Sequence, residues 1–136
     1  MRYILLTIVS VMVLSAQGLG WIESYDRAVE KAKAEHKNIY VFIYADHCPY
    51  CEQMYADVLD TKYIDYALKE FIPLKLKITS SDVKKHFPNA YVTPTSYFIT
   101  PQNQLLEEAL GYTTEEFFFW KIDAAEAQSK KIDMTK

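Results

Sequence analysis

Residues 39–51, with the sequence IYVFIYADHCPYC, decide the fold of this chain. Residues 39–45 form an unbroken run of apolar, β-branched and aromatic side chains, which is typical of a strand buried on both faces. The only two cysteines, Cys48 and Cys51, follow this run with the dipeptide Pro-Tyr between them. After Cys51, apolar residues recur at helical spacing, so the cysteine pair is predicted to lie where a buried strand passes into a helix.

This placement favours thiol chemistry. The unpaired backbone N–H groups and the positive dipole end of a helix stabilise an anion, and a thiolate is an anion. The pattern therefore predicts Cys48 as an exposed nucleophile with a lowered pKa and Cys51 as the thiol that resolves its mixed disulfide. Pro49 suits the first helical position, because its φ is fixed and it has no N–H to leave unpaired.

Length and composition indicate one folded domain. The chain has 136 residues, of which 50% are hydrophobic and 15% aromatic, enough for a single core. The formal net charge is −3, and no block rich in lysine and arginine with interleaved aromatic residues is present. Nucleic acid is therefore not predicted as a partner.

The N-terminus has the pattern of an export signal. Arg2 is followed by an apolar run over residues 3–14 and then by small residues up to Gly20. We predict a signal peptide over residues 1–20 with cleavage near 18–20, a folded domain over residues 21–131 and a frayed tail over residues 132–136. An uncleaved N-terminal anchor is the alternative. Export predicts a periplasmic location.

An exported pair of cysteines has three interpretations. A structural disulfide is the usual one, but a bridge across two residues closes almost no loop and removes little chain entropy. A zinc site needs four ligands, and His36, His47 and His86 are scattered along the chain without a second ligand pair. A disulfide that is made and broken is therefore favoured.

The rest of the chain alternates helices and strands, which predicts a partly parallel sheet covered on both faces. Ser24 is a predicted N-cap, a break or a new cap is predicted at Asp60 and Thr61, and Thr113 with Glu116 matches a capping box for the last helix. The four aromatic rings of residues 117–120 cannot all face the core from one helix, so one or two are predicted to be exposed. The predicted helices span residues 21–37, 49–59, 63–70 and 114–130, and residues 80–82 are predicted to cap a further short helix that carries Val83 and Phe87. The predicted strands span residues 39–45, 71–78, 95–100 and 105–110.

Taken together, the strand–Cys-Pro-Tyr-Cys–helix segment, the Thr93-Pro94 dipeptide before a strand and the closing strand–strand–helix order resemble the thioredoxin superfamily. Within it, the chain is similar to exported thioredoxin-related thiol:disulfide reductases, such as the periplasmic thioredoxins associated with thiosulfate oxidation and the C-terminal domain of the transmembrane thiol:disulfide interchange reductant. The resemblance covers nearly all of the chain after the signal. It implies an α/β thioredoxin fold, with a central four-stranded mixed sheet flanked by helices on both faces and room for a short extra N-terminal strand.

The resemblance also implies the site. Cys48 and Cys51 would be the catalytic pair, and the Thr93–Pro94 peptide bond would be cis and lie against their disulfide. It implies protein disulfides or thiols as substrates, a membrane thiol protein as electron donor, no metal and no cofactor other than the Cys48–Cys51 disulfide. A monomer is expected, since nothing resembles the dimerisation domain of the isomerases. The residues expected to bind substrate are Pro49, Tyr50, Thr93 and Pro94.

Two departures from the family pattern stand out. Thioredoxins carry a buried acid six residues before the nucleophile, and this chain has Phe42 there. Asp46 or His47, acting through water, are the candidates to replace it as proton acceptor. The Gly-Gly-Asp type of element that holds glutathione in glutaredoxins is absent after Pro94. The predicted function is reduction of protein disulfides, and the alternatives are a disulfide-donating oxidase with the same site or a non-enzymatic module that binds thiols or copper(I).

Overall fold

A computed structural model describes residues 18–135, which form a mixed sheet between two layers of helices. The second helix, α2 (Pro49–Met54), continues into a π-helical turn, Tyr55–Leu59, and the third, α3 (Lys62–Ala67), continues into a 3-10 turn, Leu68–Glu70. The helices are α1 (Tyr25–Glu35), α2 (Pro49–Met54), α3 (Lys62–Ala67), α4 (Ser81–His86) and α5 (Glu115–Met134), and the strands are β1 (Asn38–Tyr44), β2 (Phe71–Lys77), β3 (Thr95–Ile99) and β4 (Leu105–Leu110).

The sheet has the order β2-β1-β3-β4. β1 pairs with β2 in parallel, and β3 pairs with both β1 and β4 in antiparallel fashion. The predicted four-stranded mixed sheet is therefore confirmed. In place of a short extra N-terminal strand, the structure has a single parallel bridge, in which Ile22 pairs with Leu74 on the outer edge of β2.

β1 occupies the middle of the sheet, and its side chains alternate between two cores. Tyr40 and Phe42 face the core under α2, α3 and α5, whereas Ile39, Val41 and Ile43 face the core under α1 and α4. All five side chains are buried, which confirms the strand buried on both faces. The functional consequence is that the loop after β1 begins from a rigid base.

Side-chain caps set where most helices begin. Ser24, Thr61 and Ser80 each accept a hydrogen bond from a backbone N–H in the first turn of the following helix, as predicted. The predicted capping box of α5 is wrong by one residue. Thr114 is the cap and accepts from Phe117 N, because Thr113 is buried and its hydroxyl contacts Met54 Sδ at 3.7 Å.

The first helix begins later, and the last helix ends later, than the sequence predicts. α1 begins at Tyr25 rather than at residue 21, because Ile22 is held in an extended bridge to β2 before Ser24 caps the helix. α5 continues to Met134, four residues beyond its predicted end. Of the predicted signal peptide, residues 1–17 lie outside the described residues. Within residues 18–135, no helix combines the length and apolarity that a membrane crossing requires.

Candidate active site

Cys48 lies at the N-terminus of α2, as predicted. It is the N-cap residue, with Pro49 at the first helical position, and its Sγ accepts a hydrogen bond of 3.2 Å from the backbone N of Cys51. Its carbonyl oxygen accepts from the N–H groups of Cys51 and Glu52, both at 3.1 Å. When Cys48 is reduced, the same N–H of Cys51 would stabilise its thiolate.

The two cysteines form a disulfide with a Cα–Cα separation of 5.2 Å. They differ in accessibility: Cys48 is half-buried, whereas Cys51 is only 5% exposed and faces the core under α5. An incoming sulfur can therefore reach Cys48 but not Cys51. This asymmetry is what a nucleophile and a resolving thiol require.

The loop before β3 brings Thr93 and Pro94 against the cysteines from 45 residues away in sequence. The Thr93–Pro94 peptide bond is cis. Thr93 Oγ1 lies 3.5 Å from Cys48 Sγ, and the hydroxyl is the donor because a disulfide sulfur carries no hydrogen. Pro94 is buried, and its carbonyl oxygen accepts a hydrogen bond of 2.7 Å from Gly111 N.

The other two predicted contact residues lie on the surface. Pro49 is exposed, and Tyr50 is 63% exposed at the outer side of the first turn of α2. The structure thus brings Cys48, Cys51 and Thr93 into contact, with Tyr50 beside them on an open surface. Substrate binding by these residues stays a prediction.

A groove that the sequence did not predict leads to Cys51 from the other side. It has a volume of about 550 Å³ and runs between β1, the loop after β1, α2 and β2. Phe42, which stands where thioredoxins carry an acid, forms part of its wall and is only 2% exposed. Lys75 is the register partner of Phe42 on β2 and also lines the groove. Its only sequence signal was its polar position in an alternating strand.

The two proposed replacements for the acid are exposed groups at this groove. Asp46 forms an ion pair with Lys77, and this hydrogen bond raises the pKa of the Lys77 ammonium. His47 adopts a φ of 52°. Among residues 18–135, neither side chain forms a hydrogen bond to a cysteine. The role of proton acceptor therefore stays a prediction for both.

A metal site has no support in the described part of the chain. Within residues 18–135, no three His, Cys, Asp or Glu side chains are grouped so that they could hold a metal ion.

The exposed aromatic rings of α5 are Phe117, 44% exposed, and Trp120, 58% exposed, which confirms the prediction that one or two of the four rings leave the core.

Comparisons with known proteins agree with this geometry. A family model described as thioredoxin-like matches residues 20–101. The human anterior gradient protein 2 homolog is 23% identical over 107 residues, which are 77% of this chain and 60% of that protein. The chain thus spans about 60% of the length of the curated relatives it matches.

Solved structures show the same fold. A thioredoxin from Thermus thermophilus superposes with a TM-score of 0.69 at 22% identity, covering 78% of this chain and 85% of that one. The oxidised C-terminal domain of DsbD from Neisseria meningitidis gives 0.59 at 17% identity, covering 70% of this chain and 86% of that domain. The family match includes both cysteines and the Thr93–Pro94 bond, so this chain belongs to the thioredoxin-like family.

Proposed function

We propose that this protein is a periplasmic thiol–disulfide oxidoreductase that reduces protein disulfides through Cys48 and Cys51. One observation carries the proposal: an accessible sulfur at a helix N-terminus is bonded to a buried one in a thioredoxin-like domain. The Cys51 N–H and the Thr93 hydroxyl both donate to the accessible sulfur.

The reaction has two exchange steps. The Cys48 thiolate attacks one sulfur of a substrate disulfide, which forms a mixed disulfide and releases the other substrate sulfur as a thiolate that takes up a proton. The Cys51 thiolate then attacks Cys48 Sγ, forming the Cys48–Cys51 bond and releasing the second substrate sulfur. Two electrons pass from the cysteine pair to the substrate, and a membrane thiol protein would return them. No metal or organic cofactor takes part in this scheme.

The surface around Cys48 is suited to an extended peptide. Thr93 is half-buried beside Cys48 Sγ, and Tyr50, two residues after Cys48, is exposed. We assign substrate contact to Pro49, Tyr50, Thr93 and Pro94, with the monomer as the working unit. The periplasmic location rests on the signal pattern of residues 1–20, and the mass of the chain recovered from the exported fraction tests it.

The reduction potential of the Cys48–Cys51 couple tests the direction. The full chain is equilibrated with a dithiol buffer, alkylated and analysed by mass. A potential near that of thioredoxin, about −270 mV, supports the reductase, whereas one near −120 mV makes the protein a disulfide donor. A pair that never cycles, combined with tight copper(I) binding, replaces the enzyme with a metal-binding module. Cys48→Ser and Cys51→Ser are the matched negative controls.

A further inference from the structure

The groove behind Cys51 contains one lysine, Lys75, in its lining. Lys75 is half-buried, and none of the ion pairs within residues 18–135 includes it. Its Nζ lies 4.8 Å from the centre of the Tyr44 ring and 5.5 Å from that of the Tyr55 ring. The two aromatic faces hold the ammonium at the wall of the groove that also reaches Cys51.

Phe42 explains why the neighbouring strand β1 supplies no counter-ion to this ammonium. Phe42 is the residue paired with Lys75 across β1 and β2, and its ring packs 6.0 Å from that of Trp21. The buried indole N–H of Trp21 has no hydrogen-bond acceptor among residues 18–135. An apolar side chain therefore stands opposite Lys75 on β1, and the Cys51 sulfur lines the same groove as the ammonium.

The charges that face Cys51 through the groove do not cancel this effect. Asp46 is neutralised by its ion pair with Lys77. Glu52 is exposed, so solvent screens its carboxylate more than it screens the half-buried Lys75. The titratable groups that line the groove with Cys51 are Tyr44, Asp46, His47, Glu52, Tyr55 and Lys75.

We propose that Lys75 is a positioning residue for the resolving step: its ammonium stabilises the Cys51 thiolate, so that Cys51 needs no carboxylate base. This inference rests on the proposed function. In the resolving step, the Cys51 thiol gives its proton to water in the groove, and its sulfur attacks Cys48 Sγ. The Cys48–Cys51 bond forms as the bond from Cys48 to the substrate sulfur breaks, and that sulfur leaves as a thiolate.

The test measures Cys51 alone. In a Cys48→Ser background of the full chain, the ultraviolet absorbance of the thiolate is followed against pH. We expect Lys75→Met to lower the thiolate fraction of Cys51 at neutral pH by about threefold or more, because an opposite charge near a thiol favours its ionised form. Lys75→Arg, which keeps the charge, is expected to retain the titration midpoint of the parent.

Lys69→Met is the matched control. Lys69 Nζ lies 4.1 Å from the centre of the Tyr66 ring, so this substitution removes the same kind of contact away from the groove. The titration midpoint of Cys51 is expected to remain that of the parent. Tyr55→Glu places a carboxylate beside Lys75 at an exposed position and is expected to lower the thiolate fraction as well. It keeps the test decisive if Lys75→Met does not fold.

Two results would overturn the inference. One is a Cys51 midpoint that moves in neither Lys75→Met nor Tyr55→Glu. The other is slower oxidation of the reduced full chain by a disulfide in Glu52→Gln with a normal rate in Lys75→Met, which would make Glu52 the base. Failure of the proposed function looks different: the parent chain would not cycle with any disulfide, while the titration of Cys51 would still report on Lys75.

Discussion

The Thr93 hydroxyl is expected to affect the reduction potential of the Cys48–Cys51 couple. It lies 3.5 Å from Cys48 Sγ and has no other acceptor among the described side-chain hydrogen bonds. Thr93→Val removes the hydroxyl while keeping the shape and β-branching of the side chain. We expect the variant to be more reducing than the parent, because the reduced form loses more stabilisation than the disulfide does.

The magnitude follows from the two partners of the hydroxyl. A hydrogen bond to a charged group contributes about 1.5–3 kcal/mol, and one to a neutral group contributes about 1 kcal/mol. The hydroxyl thus favours the thiolate over the disulfide by about 0.5–2 kcal/mol. Since about 1.4 kcal/mol corresponds to 30 mV for a two-electron couple, Thr93→Val should make the potential more negative by about 10–40 mV.

The potential is measured by equilibration with a dithiol buffer, and the rate of Cys48 alkylation against pH gives an independent readout. Thr95→Val is the matched control: its hydroxyl donates to Val92 O at 2.7 Å and does not contact the sulfur, so the potential should stay. An unchanged potential in a folded Thr93→Val variant, or a shift to more positive values, would refute the role given to this hydroxyl.

Three further predictions concern the scaffold. Tyr40→Phe should lower the free energy of unfolding by about 1–3 kcal/mol, because Ser96 then loses its partner at 2.9 Å in the core, and adding Ser96→Ala should recover most of the loss in urea unfolding. Burial also raises the pKa of the Tyr40 phenol, so above about pH 10 only the unfolded chain ionises it. The free energy of unfolding of the parent should therefore fall as the pH rises past about 10. An equal fall in Tyr40→Phe would show that other groups cause this pH dependence. Gly111→Ala should lower the free energy of unfolding by about 1–2 kcal/mol, because Gly111 has a φ of 79°. No atom lies within 4 Å of the added Cβ, so the backbone conformation alone causes the loss. An unchanged midpoint of urea unfolding would contradict this.

Local signals in the sequence were enough for the elements that carry the cysteines. The apolar run of β1, the two cysteines around Pro49 and the cap at Thr61 each act within a few residues, so a short window contains the physics that decides them. The same window was not enough at Thr113 and Thr114. Both hydroxyls can cap a helix, and only the packing of Thr113 against Met54 decides between them.

The amino-acid sequence was therefore enough to predict the fold class, the order of its elements and the position of Cys48 at a helix N-terminus. The surroundings of the cysteines depend on tertiary packing: the Thr93 hydroxyl lies beside Cys48, and Lys75 lines the same groove as Cys51. The difference comes from distance along the chain. Periodicity and caps act over a few residues, whereas these contacts depend on strand order and register, which pair Phe42 with Lys75 and bring Thr93 to Cys48.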